Sequence, residues 1–91
     1  MKYTIKPSSR FKKDLKIVLK RGCDRGLLLQ VIDTLAAGEQ LDAKYKDHAL
    51  IGHYVGHREC HIQPDWLLVY RYDDDVLVLV LTRTGTHSDL F

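Results

Sequence analysis

Cysteine, proline and methionine are scarce in this chain, and no long apolar run interrupts its polar residues. Cys23 and Cys60 are the only cysteines, too few and too widely separated for a disulfide framework. Both therefore read as reduced thiols, with Cys60 acting as a small buried apolar residue. With only Pro7 and Pro64, and no repeat or low-complexity tract, the 91 residues offer neither a linker nor a second core, so a single domain over 1–91 is expected. A membrane span needs about 20 consecutive apolar residues, and none is available. The lysine-rich N-terminal segment also lacks the apolar stretch of a signal peptide, so the expectation is a cytoplasmic protein with no membrane partner. What is present is an ordinary globular composition, 45% apolar with a single tryptophan. A core of this size gives modest stability, which a bound partner raises.

The net charge of +2 conceals a separation. Residues 1–25 carry nine Lys/Arg against Asp14 and Asp24, a balance of +7, whereas residues 26–91 carry five against ten, a balance of −5. Charge sorted in this way makes a basic face suited to a polyanion or an acidic partner, although a solvated helix surface gives the same pattern.

Alternation over 1–6 predicts a short strand ended by Pro7. Ser8 or Ser9 then caps a helix in which Phe11, Leu15, Val18 and Leu19 share a face. Lys12, Lys13, Lys16 and Lys20 gather on a separate flank, and Gly22 stops the helix. Asp24 caps a second helix with Leu27, Leu28, Val31, Ile32 and Leu35 as its apolar arc and Gly38 at its end, so the two make a helical hairpin. A polar connection over 39–56 follows. Residues 57–62 alternate, while 66–72 and 76–82 are rich in bulky apolar residues. Pro64-Asp65 and Asp73-Asp74-Asp75 mark the turns between them. The continuous apolarity of 76–81 places that strand inside the sheet. The order β-α-α-β-β-β describes an α+β domain, a helical hairpin packed on one face of a small, mostly antiparallel sheet.

Five histidines are many for this length, and all follow residue 47: His48, His53, His57, His61 and His87. Three uses are open to them. A metal could draw on His53, His57, Cys60 and His61, but Gly52 and Gly56 break the helix that His53-x-x-x-His57 would need, and spacing places no third or fourth ligand. Ordinary hydrogen-bonded histidines are the simplest account of His53 and His57 taken singly. Acid–base catalysis is the third use, since imidazole titrates near neutral pH. His61 and Asp65 bracket the turn before Trp66, and antiparallel pairing can return Arg83 and His87 to that turn. RNA cleavage needs such a set: a base for the ribose 2′-OH, a cation for the phosphoryl oxygens and an acid for the leaving 5′-oxygen. It requires no metal and no other cofactor, because RNA carries its own nucleophile.

Three strings narrow the choice. Tyr45-Lys46-Asp47-His48, the run over 58–70 with Pro64-Asp65-Trp66 inside it, and Arg83-Thr84-Gly85-Thr86-His87-Ser88-Asp89-Leu90-Phe91 resemble the YafQ branch of the RelE-type toxins. The basic helix pair fits in pattern and length, so the likeness spans the whole chain. It implies a RelE-like fold and a toxin of a type II toxin–antitoxin pair, which enters the ribosomal A site, cuts mRNA and is silenced by a cognate antitoxin. By motif, the family's active-site positions fall on His48, His61, Asp65, Trp66, Arg83, His87 and Phe91. Glu59 and Tyr54 depart from relatives that carry Asp and Trp there, and neither change removes one of those groups.

The roles this implies are His87 as general acid and Asp65 with His61 or His48 as base. Arg83 would lie on the transition-state phosphate, and Trp66 and Phe91 would offer flat faces to an unstacked base. The structural alternatives are a core anchor for Trp66 and a turn residue for Asp65. Lys12, Lys13, Lys16 and Lys20 are assigned to phosphates of ribosomal RNA, far in sequence from the catalytic set. Two rivals fit the same pattern of elements: a toxin that binds DNA gyrase without cutting RNA, and a non-catalytic RNA-binding module that uses the lysine flank. Neither needs the catalytic set.

Overall fold

Ser8 turns the chain from strand to helix in the computed structural model, which describes residues 2–91. Its hydroxyl accepts from the Phe11 N–H at 3.0 Å and donates to the Thr82 carbonyl at 2.8 Å. One side chain thereby caps the helix and ties it to the sheet. Strand β1 spans Thr4–Pro7 and helix α1 spans Ser9–Lys20; Met1, part of the expected strand, lies outside the described residues. Gly22, at φ +93°, supplies the left-handed residue that reverses the chain after α1. Asp24 accepts from the Gly26 N–H at 2.8 Å and starts α2, Arg25–Ala36.

Short 3-10 turns at Ala43–Tyr45 and Gly52–Tyr54 flank strand β2, His48–Ala49. Strands β3 (Arg58–Gln63), β4 (Trp66–Asp73) and β5 (Val78–Gly85) follow, and then helix α3 (His87–Leu90). The sheet order is β1-β5-β4-β3-β2, antiparallel throughout except for the parallel pair β1 and β5. α1 packs over β5 and α2 over β3. The expected α+β order is present, with β2 and α3 added inside stretches that read as loop. Both are too short for a hydrophobic period to show.

The last strand is displaced from its expected limits of 76–82. Val76 and Leu77 are exposed in the hairpin turn, Leu77 with a left-handed φ of +52°, and the strand runs on to Gly85. Apolar character marks a strand but not its register, and here it spilled into the turn. Arg83, expected beyond the strand, therefore lies within it.

Alternation on the strands makes two clusters. Cys60 and Ile62 of β3 and Trp66, Leu68 and Tyr70 of β4 face the helices and form the main core. Leu67 and Val69 point the other way and are fully buried beneath Leu50, Tyr54 and Leu90. Segment 50–54 and α3 thus roof part of the face that the helices leave open, each buried leucine contributing about 1.5–3 kcal/mol. The remainder of that face carries the histidines.

Candidate active site

Register sets the expected residues in rows. His48, Glu59, Val69 and Arg83 are successive partners across β2, β3, β4 and β5, and His61, Leu67 and Gly85 form the next row. Residues directly opposite share a face, so His48, His61 and Arg83 all start from the open side. At about 4.8 Å per strand, β3 and β5 stand about 10 Å apart.

The C-terminal motif closes this face. Thr86 accepts from the Asp89 N–H at 3.1 Å, while the Asp89 carboxylate accepts from the Thr86 N–H at 2.9 Å, a capping box that starts α3. Arg21, just past α1, grips the same carboxylate at 2.6 and 3.2 Å. Arg21 first, and the Thr86 N–H after it, hold the Asp89 carboxyl well below the usual carboxylate range. Gly85 leaves room for this fold-back. Its φ is +156°, and a Cβ there would stand 2.8 Å from Asp89 Oδ2.

The result is a cluster at the sheet's end. His87 Nδ1 lies 3.9 Å from Asp65 Oδ1, and its ring centre is 5.9 Å from that of His61 and 6.0 Å from that of Phe91. His87 and Asp65 side chains are 58% and 74% exposed. Phe91, also exposed, meets Tyr54 edge-on at 5.5 Å. His61 turns Nδ1 to the Pro64 carbonyl oxygen at 3.2 Å. When Nδ1 carries the proton of that bond, Nε2 keeps its lone pair for a ligand.

His48 is held differently. Its Nε2 lies 3.0 Å from Glu59 Oε2 and its Nδ1 2.8 Å from the Lys46 carbonyl oxygen, so each ring nitrogen already faces an acceptor. Asp47 fastens the preceding turn, accepting from Arg58 Nε at 2.7 Å and from the buried Tyr70 hydroxyl. Burial, and then Asp47, push the Tyr70 phenol up. On the far strand, Arg83 donates from Nε and Nη2 to Asp14 at 2.9 and 3.0 Å. The Asp14 carboxylate, opposed by burial and aided by the Tyr54 hydroxyl, raises the guanidinium above its ordinary value.

Trp66 does not reach this surface. It is 3% exposed in the main core, and its indole N–H donates to Thr84 Oγ1 at 2.9 Å. The expectation of a stacking face at Trp66 is thereby corrected, because strand alternation sends this ring to the helix side. Phe91 and Tyr54 are the rings that border the histidines. The lysine flank also divides. Lys13 lines a cleft of about 440 Å³ together with Arg10, Asp14 and Arg83, whereas Lys12, Lys16 and Lys20 stay exposed elsewhere on α1. Folding removes, for Lys13, the separation that sequence distance suggested.

Asp14, Glu59 and Tyr54 join the site although none is among the expected functional residues. Asp14 left a signal, for it sits three residues after Phe11 and four before Val18, on the buried stripe of α1. Glu59 alternates with His61 on one side of β3, which also marks it. Tyr54 lies in an irregular segment with no period to place it; its only signal is the aromatic residue that relatives also carry there. For the metal reading, Cys60 faces the main core while His61 faces the open side. Among the described residues no group of three or more His, Cys, Asp or Glu could hold a metal ion.

The family described as "Bacterial toxin of type II toxin-antitoxin system, YafQ" matches residues 3–91. The "mRNA interferase toxin YafQ" of Escherichia coli (strain K12) is 40% identical over 88 residues, which cover 96% of this chain and 94% of that protein. Among solved structures, a metal-bound toxin from Helicobacter pylori superposes with a TM-score of 0.92 at 48% identity, covering 98% of this chain and 99% of that one. A chain of the E. coli DinJ-YafQ complex gives a TM-score of 0.89 at 39% identity, with 98% of each chain covered. With the match running over almost the whole length, the chain belongs to the YafQ family of bacterial toxins of type II toxin–antitoxin systems.

Proposed function

We propose that this chain is an endoribonuclease that cuts mRNA on the bacterial ribosome, without a metal, as the toxin of a type II pair. The observation that carries the reading is the exposed cluster of His61, Asp65, His87 and Phe91 at one end of an otherwise covered sheet. The E. coli relative's name, mRNA interferase toxin, supports the same activity. His61, with Nε2 open and Asp65 beside the partner histidine, takes the proton of the ribose 2′-OH. The 2′-oxygen attacks the adjacent phosphorus, and the bond from phosphorus to the 5′-oxygen breaks. His87 delivers a proton to that leaving oxygen, so the products end in a 2′,3′-cyclic phosphate and a 5′-OH. Arg83 offsets the charge growing on the phosphoryl oxygens, and Phe91 supports an unstacked base. His48, with an acceptor at each nitrogen, is the less available base of the two.

The DinJ-YafQ complex of E. coli supports an antitoxin as partner, and the basic N-terminal segment favours an antitoxin with acidic side chains. Lys12, Lys16 and Lys20 are exposed on α1 and suit contacts with ribosomal RNA. No helix among the described residues is long and apolar enough to cross a membrane. A cytoplasmic location follows only from the proposed mRNA substrate.

His87→Gln tests the reading on ribosomes programmed with mRNA. Loss of the acid should slow cleavage by about 10²–10⁴-fold while antitoxin binding is kept. Wild-type cleavage by this variant sinks the assignment. EDTA-treated toxin, returned to magnesium-replete ribosomes, should cut at the normal rate; a 5′-phosphate product, or activity lost with a stripped metal, points instead to water activated by a metal.

A further inference from the structure

Asp14 is a buried carboxylate that the proposed chemistry does not use. It lies on α1, 6% exposed, and accepts three bonds from β5: Arg83 Nε at 2.9 Å, Arg83 Nη2 at 3.0 Å and the Thr84 N–H at 3.2 Å. The backbone bond matters because it fixes the carboxylate to the strand independently of the arginine. Thr84 is itself fixed, since its hydroxyl donates to the Leu67 carbonyl at 2.7 Å and accepts from Trp66. The bidentate grip takes one edge of the guanidinium and leaves Nη1 outside it. Arg83 begins from the face that carries His48 and His61, keeps 15% of its side chain exposed, and has the Tyr54 hydroxyl as a further neighbour. The Nη1 edge is therefore not used by Asp14. Three cations, Arg10, Lys13 and Arg83, line the cleft into which this pair faces, against two carboxylates, Asp14 and Asp89. Both carboxylates are already paired with an arginine, which leaves Arg10 and Lys13 for an approaching anion.

We infer that Asp14 is a positioning residue that aims Arg83 at the phosphate undergoing transfer. The inference rests on Arg83 contacting that phosphate, as proposed above. A flexible arginine would have to be ordered as charge develops, whereas one clamped at Nε and Nη2 is already oriented. Asp14→Asn keeps an oxygen that can accept from the Thr84 N–H, so the loss of its charge should matter only when Arg83 is present.

The test is a double-mutant cycle of Asp14→Asn and Arg83→Gln, read as ribosome binding and as the single-turnover cleavage rate at saturating toxin. Arg83→Gln should lower the saturated rate by about 10²–10³-fold. Asp14→Asn should lower it by about tenfold or more, with binding unchanged, and should add nothing in the Arg83→Gln background. An equal loss from Asp14→Asn in both backgrounds marks a structural role and overturns the inference. Normal cleavage by Asp14→Asn beside a slow Arg83→Gln overturns it as well. Normal cleavage by Arg83→Gln removes the catalytic assignment of Arg83 and the inference with it. Should Asp14→Asn fail to fold, Asp14→Glu keeps the charge and displaces the guanidinium by one methylene. A misplacement of about 1 Å can cost about 10²-fold, so a slowed rate is expected there and a wild-type rate refutes the aiming role.

Discussion

Asp89→Ala should separate the position of the histidine cluster from the stability of the fold. The substitution removes the Thr86 N–H bond of 2.9 Å and both Arg21 hydrogen bonds, while the Thr86 hydroxyl keeps its bond to the residue 89 amide. α3 has only four residues, too few for helix propagation to hold it. The capping box and the burial of Leu90 against Leu67 and Val69 are what dock it. Losing a cap costs about 0.5–2 kcal/mol, and 1–2 kcal/mol changes a population ratio by roughly 5–30-fold. Arg21 is half exposed, and its ion pair adds little to that sum. His87 and Phe91 then leave their places beside His61 and Tyr54 for part of the time, and single-turnover cleavage should fall by up to the same factor. The main core is untouched, so the melting midpoint should drop by no more than about 4–8 °C for each kcal/mol. Amide exchange reads the fraying directly, because the Leu90 and Phe91 N–H groups donate to the Thr86 and His87 carbonyls. Gly85→Ala should give the same phenotype, since its Cβ would fall 2.9 Å from the Asp89 Cβ. Faster exchange at Leu90 with undiminished cleavage would refute the link between α3 docking and catalysis; unchanged exchange would refute the role of the box.

Trp66→Phe should destabilise the fold by about 1–3 kcal/mol in chemical denaturation, since Thr84 Oγ1 loses a buried donor, yet leave ribosome affinity as it was. A weaker affinity at equal stability would restore the stacking role to Trp66. Alkaline pH should unfold the protein: burial foremost lifts the Tyr72 phenol from 10.0 to about 12 and lifts Tyr70 too. A raised phenol contributes stability below its unfolded value that is lost as pH rises through the folded one, so denaturant midpoints should decline from about pH 10 upward, whereas flat midpoints to pH 12 would contradict that burial. Lys16→Gln with Lys20→Gln should weaken ribosome binding and flatten its salt slope by roughly 0.7–0.9 for each phosphate no longer neutralised, with the saturated cleavage rate intact. A collapse of that rate would place these lysines in the site.

The fold was readable because its long elements announce themselves. Ser8, Gly22 and Asp24 stand where a helix must start or stop, and the apolar stripes of α1 and α2 keep a 3.6-residue period. The hairpin register was not readable. Val76 and Leu77 have strand character but occupy the turn, which moved Arg83 from a loop into β5. Trp66 shows the same limit at the level of a single side chain. A tryptophan beside a candidate site aspartate serves equally as a stacking face or as an anchor, and only the alternation fixed by pairing with β3 sends it inward. The clustering of His61, Asp65 and His87 depended on Gly85 and on the fold-back of Asp89, interactions between residues too few and too irregular to leave a period.

Charge tells only part of what the N-terminal segment does. The +7 balance of the first 25 residues suggested a face free for an outside anion. Two members of that segment are also engaged within the molecule, in opposite senses: Asp14 receives Arg83, and Arg21 donates to Asp89. α1 therefore clasps the C-terminal motif at both ends, with Arg83 before Gly85 and Asp89 after it. The residue between those anchors that matters most to the chemistry is His87, and its place beside Asp65 follows from where α1 holds the strand and helix on either side of it. If the lysines of α1 dock on ribosomal RNA as proposed, a helix that carries Asp14 and ends at Arg21 would join recognition to catalysis through one rigid element. Substitutions that loosen α1 against β5 should therefore cost cleavage before they cost binding, because the exposed Lys16 and Lys20 can still find phosphates on a helix that has shifted while Arg83 and His87 tolerate no such drift.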